Sequence, residues 1–275
     1  MPTVTTSDGV SLNYVDKGKG RPLVMIPGWS QSAAQFQAQV DGLSDRYRVI
    51  ALDMRGHGLS EKVNHGYKIQ RLAKDVHDVL EALGLDGVAL LGHSMGCSVI
   101  WCYYDLFGRE RLERLVLVDQ MPFITSNPTW TEQQRADFGP ILDGTTLYDT
   151  YNALSGPAGV ETSKGFVGGM FTKAWPAEKL AWVIEENLRL PRQHAADLLF
   201  NHAMQDWRDV IPRIDLPTLV VGGKTSLVGW RSQLWIASQI KGAKVEIFED
   251  ADGGAHFMFM ENPGKFNALV ADFLG

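Results

Sequence analysis

The sequence predicts an α/β architecture: a doubly wound, mostly parallel eight-stranded sheet with a helical cap inserted into it. Three observations carry this expectation. Short apolar, β-branched runs alternate with longer helical patterns along most of the chain. One such run, Val88-Ala89-Leu90-Leu91, leads through Gly92-His93-Ser94-Met95-Gly96 directly into a helical run from Cys97 to Tyr104. The alternation then stops between Met121 and Pro212, a stretch too long for a single crossover helix.

Taken in order, Thr3–Thr6 and Ser11–Val15 read as strands with no helix between them, so this edge is expected to be antiparallel. Leu23–Ile26, Val49–Leu52, Val88–Leu91, Leu115–Val118, Thr218–Val221 and Val245–Phe248 follow as strands. Several are continuously apolar, the pattern of strands covered on both faces. Helical patterns fill the gaps at Ala33–Leu43, Ile69–Leu83, Cys97–Phe107, Trp230–Ile240 and Pro263–Leu274, and Gly84 stops the second of them. Residues 1–120 and 213–275 are expected to form the core, and 121–212 a mostly helical cap over the C-terminal strand ends. Within the cap, Ala177–Leu190 and His194–Met204 read as helices, while the glycine-rich stretch Ser155–Gly169 reads as irregular. Its many aromatic residues, from Trp130 to Trp207, would make a concave apolar pocket.

Composition narrows the partners. A chain of 275 residues, 45% hydrophobic, can bury a large core, and α/β folds of this length are commonly single units. The net charge of −6 is spread along the chain, without a Lys/Arg block, so neither nucleic acid nor an anionic membrane is expected. A small neutral or weakly polar substrate fits better. Cys97 and Cys102 lie five residues apart on different faces of one predicted helix, poorly placed to pair. Free thiols, no signal pattern from Met1 to Val10 and no long apolar run together suggest a cytoplasmic protein. Without a nucleotide-binding glycine loop or a His/Cys cluster, neither a cofactor nor a metal is expected.

Gly-x-Ser-x-Gly between strand and helix is the pattern of a nucleophile elbow. The turn is so tight that side chains two residues either side of Ser94 would collide, and glycine at 92 and 96 removes them. A serine hydroxyl needs a base within hydrogen-bond reach. Of seven histidines, His256 is best placed, in the loop Asp252-Gly253-Gly254-Ala255-His256-Phe257 between the last strand and the last helix. That loop emerges at the same sheet edge as the elbow. His57 lies in the turn Asp53-Met54-Arg55-Gly56-His57-Gly58-Leu59-Ser60, where a structural role with Asp53 and Arg55 paired is expected.

These three motifs together resemble the α/β-hydrolase fold superfamily over the whole chain. In most of that family the triad acid follows the seventh strand in a Gly-x-x-Asp turn, but here the turn reads Gly223-Lys224-Thr225-Ser226. Some members, including esterases and lactone hydrolases, look similar to this chain in placing the acid after the sixth strand, where Asp119 stands in Leu117-Val118-Asp119-Gln120. The resemblance therefore implies a triad of Ser94, His256 and Asp119, with Asp250 and Asp252 as runners-up for the acid. The elbow contributes the Met95 backbone N–H to an oxyanion hole, and the loop Pro27-Gly28-Trp29 contributes that of Trp29. Trp29, His93, Met121, Phe138, Trp182 and Phe257 are expected to line the substrate pocket.

The leading functional expectation is a serine hydrolase that cleaves an ester, thioester or lactone of a small hydrophobic or aromatic substrate through an acyl-enzyme. The chain is also similar to cofactor-free dioxygenases of this fold that cleave 3-hydroxy-4-quinolone rings with a His/Asp dyad. They share the Pro-Gly-Trp loop and the acid after the sixth strand, but carry His after the serine, where Met95 stands here. A binding module with an unused triad is the third expectation.

Overall fold

The computed structural model describes residues 2–275. Eight strands form one sheet: β1 (Thr3–Thr5), β2 (Ser11–Lys17), β3 (Pro22–Ile26), β4 (Arg48–Leu52), β5 (Val88–His93), β6 (Leu112–Val118), β7 (Thr218–Gly223) and β8 (Lys244–Phe248). Their order is β1-β2-β4-β3-β5-β6-β7-β8. β1 pairs antiparallel with β2, and β2 with β4; every other pairing is parallel. The predicted strands and the antiparallel edge are all present. The largest extension is at β6, which begins at Leu112 rather than Leu115 because half-buried Glu113 and Arg114 continue the strand beyond its apolar run.

The helices are α1 (Gln37–Leu43), α2 (Ile69–Ala82), α3 (Met95–Phe107), α4 (Glu132–Phe138), α5 (Gly144–Ser155), α6 (Gly159–Gly168), α7 (Ala177–Asn187), α8 (Arg192–Ala203), α9 (Trp230–Gln239), α10 (Met258–Glu261) and α11 (Pro263–Leu274). Side-chain alternation sends Val24 and Ile26 to one face of the sheet and Leu23 and Met25 to the other. The first face packs under α2 and α3, through Leu72, Val76, Val79, Val99 and Ile100. The second packs under α1 and α11, through Val40, Leu43, Phe266 and Val270. Both sets of strand residues are fully buried, which is why the run is apolar at every position.

Five helices, α4 to α8, lie between β6 and β7. The expected irregular stretch 155–169 is instead largely helical, as α6. Gly159 is required there, because a Cβ would sit 2.2 Å from the Leu154 carbonyl oxygen, and buried Val167 anchors the helix. α4 and α5 were not foreseen, although both begin at capping boxes, Thr131 with Gln134 and Asp143 with Thr146. The helix expected from His194 starts at Arg192, directly after Pro191. The first part of the helix expected at Ala33–Leu43 is a 3₁₀ turn.

The turn after β4 differs from expectation in its pairing. The Asp53 carboxylate accepts from the N–H groups of Ala33 (2.7 Å) and Leu59 (2.8 Å) and from Asn13 Nδ2 (2.8 Å). Arg55 pairs with Asp75 on α2 through two 2.7 Å bonds and with Asp8 at 3.0 Å. Asp53 and Arg55 are therefore not partners. A carboxylate ringed by backbone donors closes the turn, while the guanidinium reaches a carboxylate on the neighbouring helix. Among the described residues, no helix is long and apolar enough to cross a membrane.

Candidate active site

Ser94 ends the run of β5 into α3 with φ +53°, a left-handed conformation rare for a side-chain-bearing residue. Its N–H donates to the Val118 carbonyl (2.8 Å), and its carbonyl accepts from the Cys97 N–H (2.8 Å), so the strained turn is held from both sides. Glycine is required at both flanking positions. A Cβ at Gly92 would lie 2.5 Å from the Gly96 carbonyl carbon, and one at Gly96 would lie 2.3 Å from the Ile26 carbonyl oxygen. The expected collision is thus partly within the elbow and partly with the end of β3. Ser94 is half-buried and faces a cavity.

His256 lines the same cavity. Its Nδ1–H donates to Asp119 Oδ2 at 2.7 Å, and both side chains are buried. Asp119 follows β6 with φ +56°, its N–H donating to the Val221 carbonyl (2.8 Å). The Gly223 N–H donates to Oδ1 (3.1 Å), and the Ser226 hydroxyl donates to Oδ2. Three donors therefore surround the buried carboxylate, as a buried charge requires. Asp250 hydrogen-bonds Thr225, and Asp252 binds Lys265 (2.8 Å). The structure thus brings Asp119, and neither runner-up, to the His256 ring.

The His256 backbone is fixed at both ends. Its N–H donates to the Met170 carbonyl (3.0 Å), and its carbonyl accepts from His93 Nε2–H (2.8 Å). His93 Nδ1 lies 2.9 Å from Gln31 Oε1, and that oxygen accepts from the Gly28 N–H (3.0 Å). Burial, with the nearby His256, holds the His93 pKa well below the usual imidazole range. His93 thus braces two loops of the site and does not line the cavity.

The N–H groups of Trp29 and Met95 have no hydrogen-bond acceptor among the described residues. Trp29 is anchored by its side chain instead. Its indole N–H donates to the Ala195 carbonyl on α8 (2.7 Å), and its ring packs edge-on against Phe166 at 5.7 Å. The adjacent Ser30, at φ +56°, receives support through its N–H, which donates to His57 Nε2 (3.1 Å). His57 Nδ1–H donates in turn to the Arg55 carbonyl (2.9 Å), which accounts for this buried histidine structurally.

The cavity has a volume of about 370 Å³ and lies between the strand ends and helices α5, α6 and α8. Its wall is mostly apolar, with Met121, Ile124, Leu154, Phe166, Met170 and Leu199 among the lining residues. Trp29 and Met121 line it as expected, but four other expected residues do not. His93 is sealed beneath the His256 loop. Phe138 packs edge-on against Trp130 and Trp235, with the Arg208 guanidinium 4.9 Å from its ring. Trp182, on α7, is 37% exposed on the outer surface. Phe257 is buried and stacked at 4.5 Å on Phe171. Sequence reasoning missed the polar lining residues Gln31, Gln120, Thr150, Glu161, Thr162 and His202. His202 Nε2 lies 2.9 Å from Ser98 Oγ and 3.3 Å from Gln120 Nε2, and burial lowers its pKa to about 3. Cys97 and Cys102 are free and buried, and burial raises both thiol pKa values, that of Cys102 to about 12. Both are therefore protonated and unreactive at neutral pH.

The family model for the alpha/beta hydrolase fold matches residues 21–263. A non-heme chloroperoxidase, CPO-A1, from Kitasatospora aureofaciens is 31% identical over 294 aligned residues, spanning 100% of this chain and 99% of that protein. An esterase from Exiguobacterium antarcticum superposes with a TM-score of 0.84 at 26% identity, covering 99% of each chain. A bromoperoxidase from Bacillus anthracis shares the fold, with a TM-score of 0.90 at 24% identity and 99% coverage of both chains. The chain belongs to the α/β hydrolase fold family and is an enzyme of that family.

Proposed function

We propose that the protein is a serine hydrolase that cleaves a carboxylic ester, thioester or lactone of a small, uncharged, hydrophobic substrate. The observation that carries this reading is the Asp119–His256 pair, 2.7 Å apart, whose imidazole lines the cavity that Ser94 faces from its strained elbow. An esterase among the solved relatives supports ester cleavage. Residues 121–212 act in this reading as a cap, contributing Phe166, Met170 and Leu199 to the acyl pocket.

The mechanism follows from the groups present. His256 Nε2 accepts the Ser94 proton as Oγ attacks the acyl carbon, and Asp119 stabilises the resulting imidazolium and fixes the tautomer with Nδ1 protonated. The N–H groups of Trp29 and Met95 receive the oxyanion. The imidazolium then protonates the leaving oxygen or sulfur. His256 then takes a proton from the water that attacks the acyl-serine, and its imidazolium returns that proton to Ser94 Oγ as the second tetrahedral intermediate collapses to the free acid. The apolar wall places no cation opposite a carboxylate, and Glu161 at the rim disfavours anionic substrates, which is why an uncharged substrate is proposed.

The test is turnover of short-chain aryl esters, an aryl thioester and a small lactone by the wild type and by Ser94→Ala. The expected outcome is a loss of about 10⁶-fold in kcat for Ser94→Ala. Turnover retained in that variant would overturn the reading. Consumption of O2 with a 3-hydroxy-4-quinolone, independent of Ser94, would replace it with the dyad dioxygenase.

A further inference from the structure

The turn after β7 carries no acid, yet it reaches the acid from the neighbouring strand. Ser226 donates its hydroxyl proton to Asp119 Oδ2, the same oxygen that accepts His256 Nδ1–H at 2.7 Å. The Ser226 oxygen accepts in turn from the Val228 N–H at 3.1 Å. Donating to Oδ2 and accepting from Val228, the hydroxyl has one rotor position in which both bonds are made. Gly223 N–H holds the other carboxylate oxygen at 3.1 Å. Asp119 is thus clamped by a loop more than a hundred residues away in sequence, while its own backbone sits at φ +56°.

We propose that Ser226 is a positioning residue of the active site, acting through Asp119, and that it tunes how strongly His256 holds its proton. This inference rests on the hydrolase reading above for its kinetic readout. Two donors compete for the charge on Oδ2. A proton shared with Ser226 leaves less negative charge for the imidazolium, so the hydroxyl lowers the proton affinity of His256 while keeping Asp119 aimed at Nδ1. Removing it does two things. The carboxylate loses one of its three restraints, which slows catalysis. The freed charge binds the imidazolium more tightly, which moves the acid limb of the pH–rate profile to higher pH. A residue that only filled space would slow the enzyme without moving that limb.

The experiment measures kcat and kcat/KM against pH for wild type, Ser226→Ala and Ser226→Thr on the aryl ester turned over best by the wild type. It also records the low-field proton resonance of His256 Nδ1–H in the substrate-free enzyme. Ser226→Ala should lower kcat by about tenfold, raise the acid limb by about half a pH unit or more and shift the resonance. Ser226→Thr, which keeps the hydroxyl, should restore all three. Should Ser226→Ala not fold, Ser226→Cys takes its place, since S–H is a much weaker donor. An acid limb and a resonance that stay at their wild-type positions in the variant lacking the hydroxyl overturn the proposal, whatever happens to kcat. The resonance needs no substrate, so it reports on Ser226 even if Ser94→Ala shows that the hydrolase reading itself fails.

Discussion

At Asp119, two costly features coincide: a fully buried charge and a left-handed backbone. Asparagine adopts that backbone as readily as aspartate, so Asp119→Asn removes the charge without straining the chain. Its expected effect is a fall in kcat of about 10⁴-fold with an unchanged fold, checked by steady-state kinetics beside circular dichroism. The contact with Ser226 adds a second expectation. Aspartate is longer than serine by one bond and starts from a Cβ whose hydroxyl already touches Oδ2. The double variant Asp119→Asn/Ser226→Asp should therefore recover at least about tenfold of the activity lost in Asp119→Asn, with the amide introduced at position 119 donating to the new carboxylate. A double variant no faster than Asp119→Asn would show that position 226 cannot present a carboxylate to His256. That Ser94, His256 and Asp119 would stand at neighbouring strand ends was legible in the sequence, because each occupies a fixed place relative to a strand. Ser226, Gln120 and His202 were not, because a hydrogen bond spanning eighty or more residues leaves no local pattern. Phe138, Trp182 and Phe257 misled for the converse reason: an aromatic ring is apolar whichever way it points, and composition does not say which cavity it faces.

At the scale of elements, glycines in similar company behave differently. Gly96→Ala would drive a Cβ to 2.3 Å from the Ile26 carbonyl oxygen, against backbone that leads into the Trp29 loop. Gly84 caps α2 at φ +60°, with nothing within 4 Å of an added Cβ. Gly84→Ala should thus cost only the conformational penalty, about 1 kcal/mol. Gly96→Ala should cost about 3 kcal/mol or more and lower kcat as well, because relief of the clash moves the end of β3 and with it Trp29. Urea unfolding of the two variants compares these directly; equal losses would refute the close-approach argument. Strand positions were legible because each parallel strand in the middle of the sheet is buried on both faces and reads as a short apolar run. α6 was not, because glycine signals a loop by propensity, while here it permits packing against the carbonyl of Leu154. The capping boxes of α4 and α5 were readable signals, outweighed by the weak apolar periodicity behind them.

For the whole molecule, three buried histidines link stability to pH. His57 and His202 are fully enclosed, and burial lowers their pKa values to about 4 and about 3; His93 is held low for the same reason. Each joins separate parts of the fold: His57 ties the turn after β4 to the loop after β3, His93 ties β5 to the His256 loop, and His202 ties α8 to α3. In the unfolded chain these rings bind a proton near pH 6.5. Between pH 6.5 and about 4 the unfolded state therefore holds more protons than the folded one, so their contribution is complete above pH 6.5 and is lost as the pH falls. At pH 5 the loss is about 2 kcal/mol each for His57 and His202, a large share of the stability of a single domain. Urea midpoints should accordingly fall steeply from pH 7.5 to pH 5. His202→Gln, which cannot take up the proton, should show a shallower decline over the same range even if it is less stable at pH 7.5. A decline as steep as that of the wild type would mean that His202 is protonated in the folded protein, and that its bonds to Ser98 and Gln120 are not those of a neutral ring.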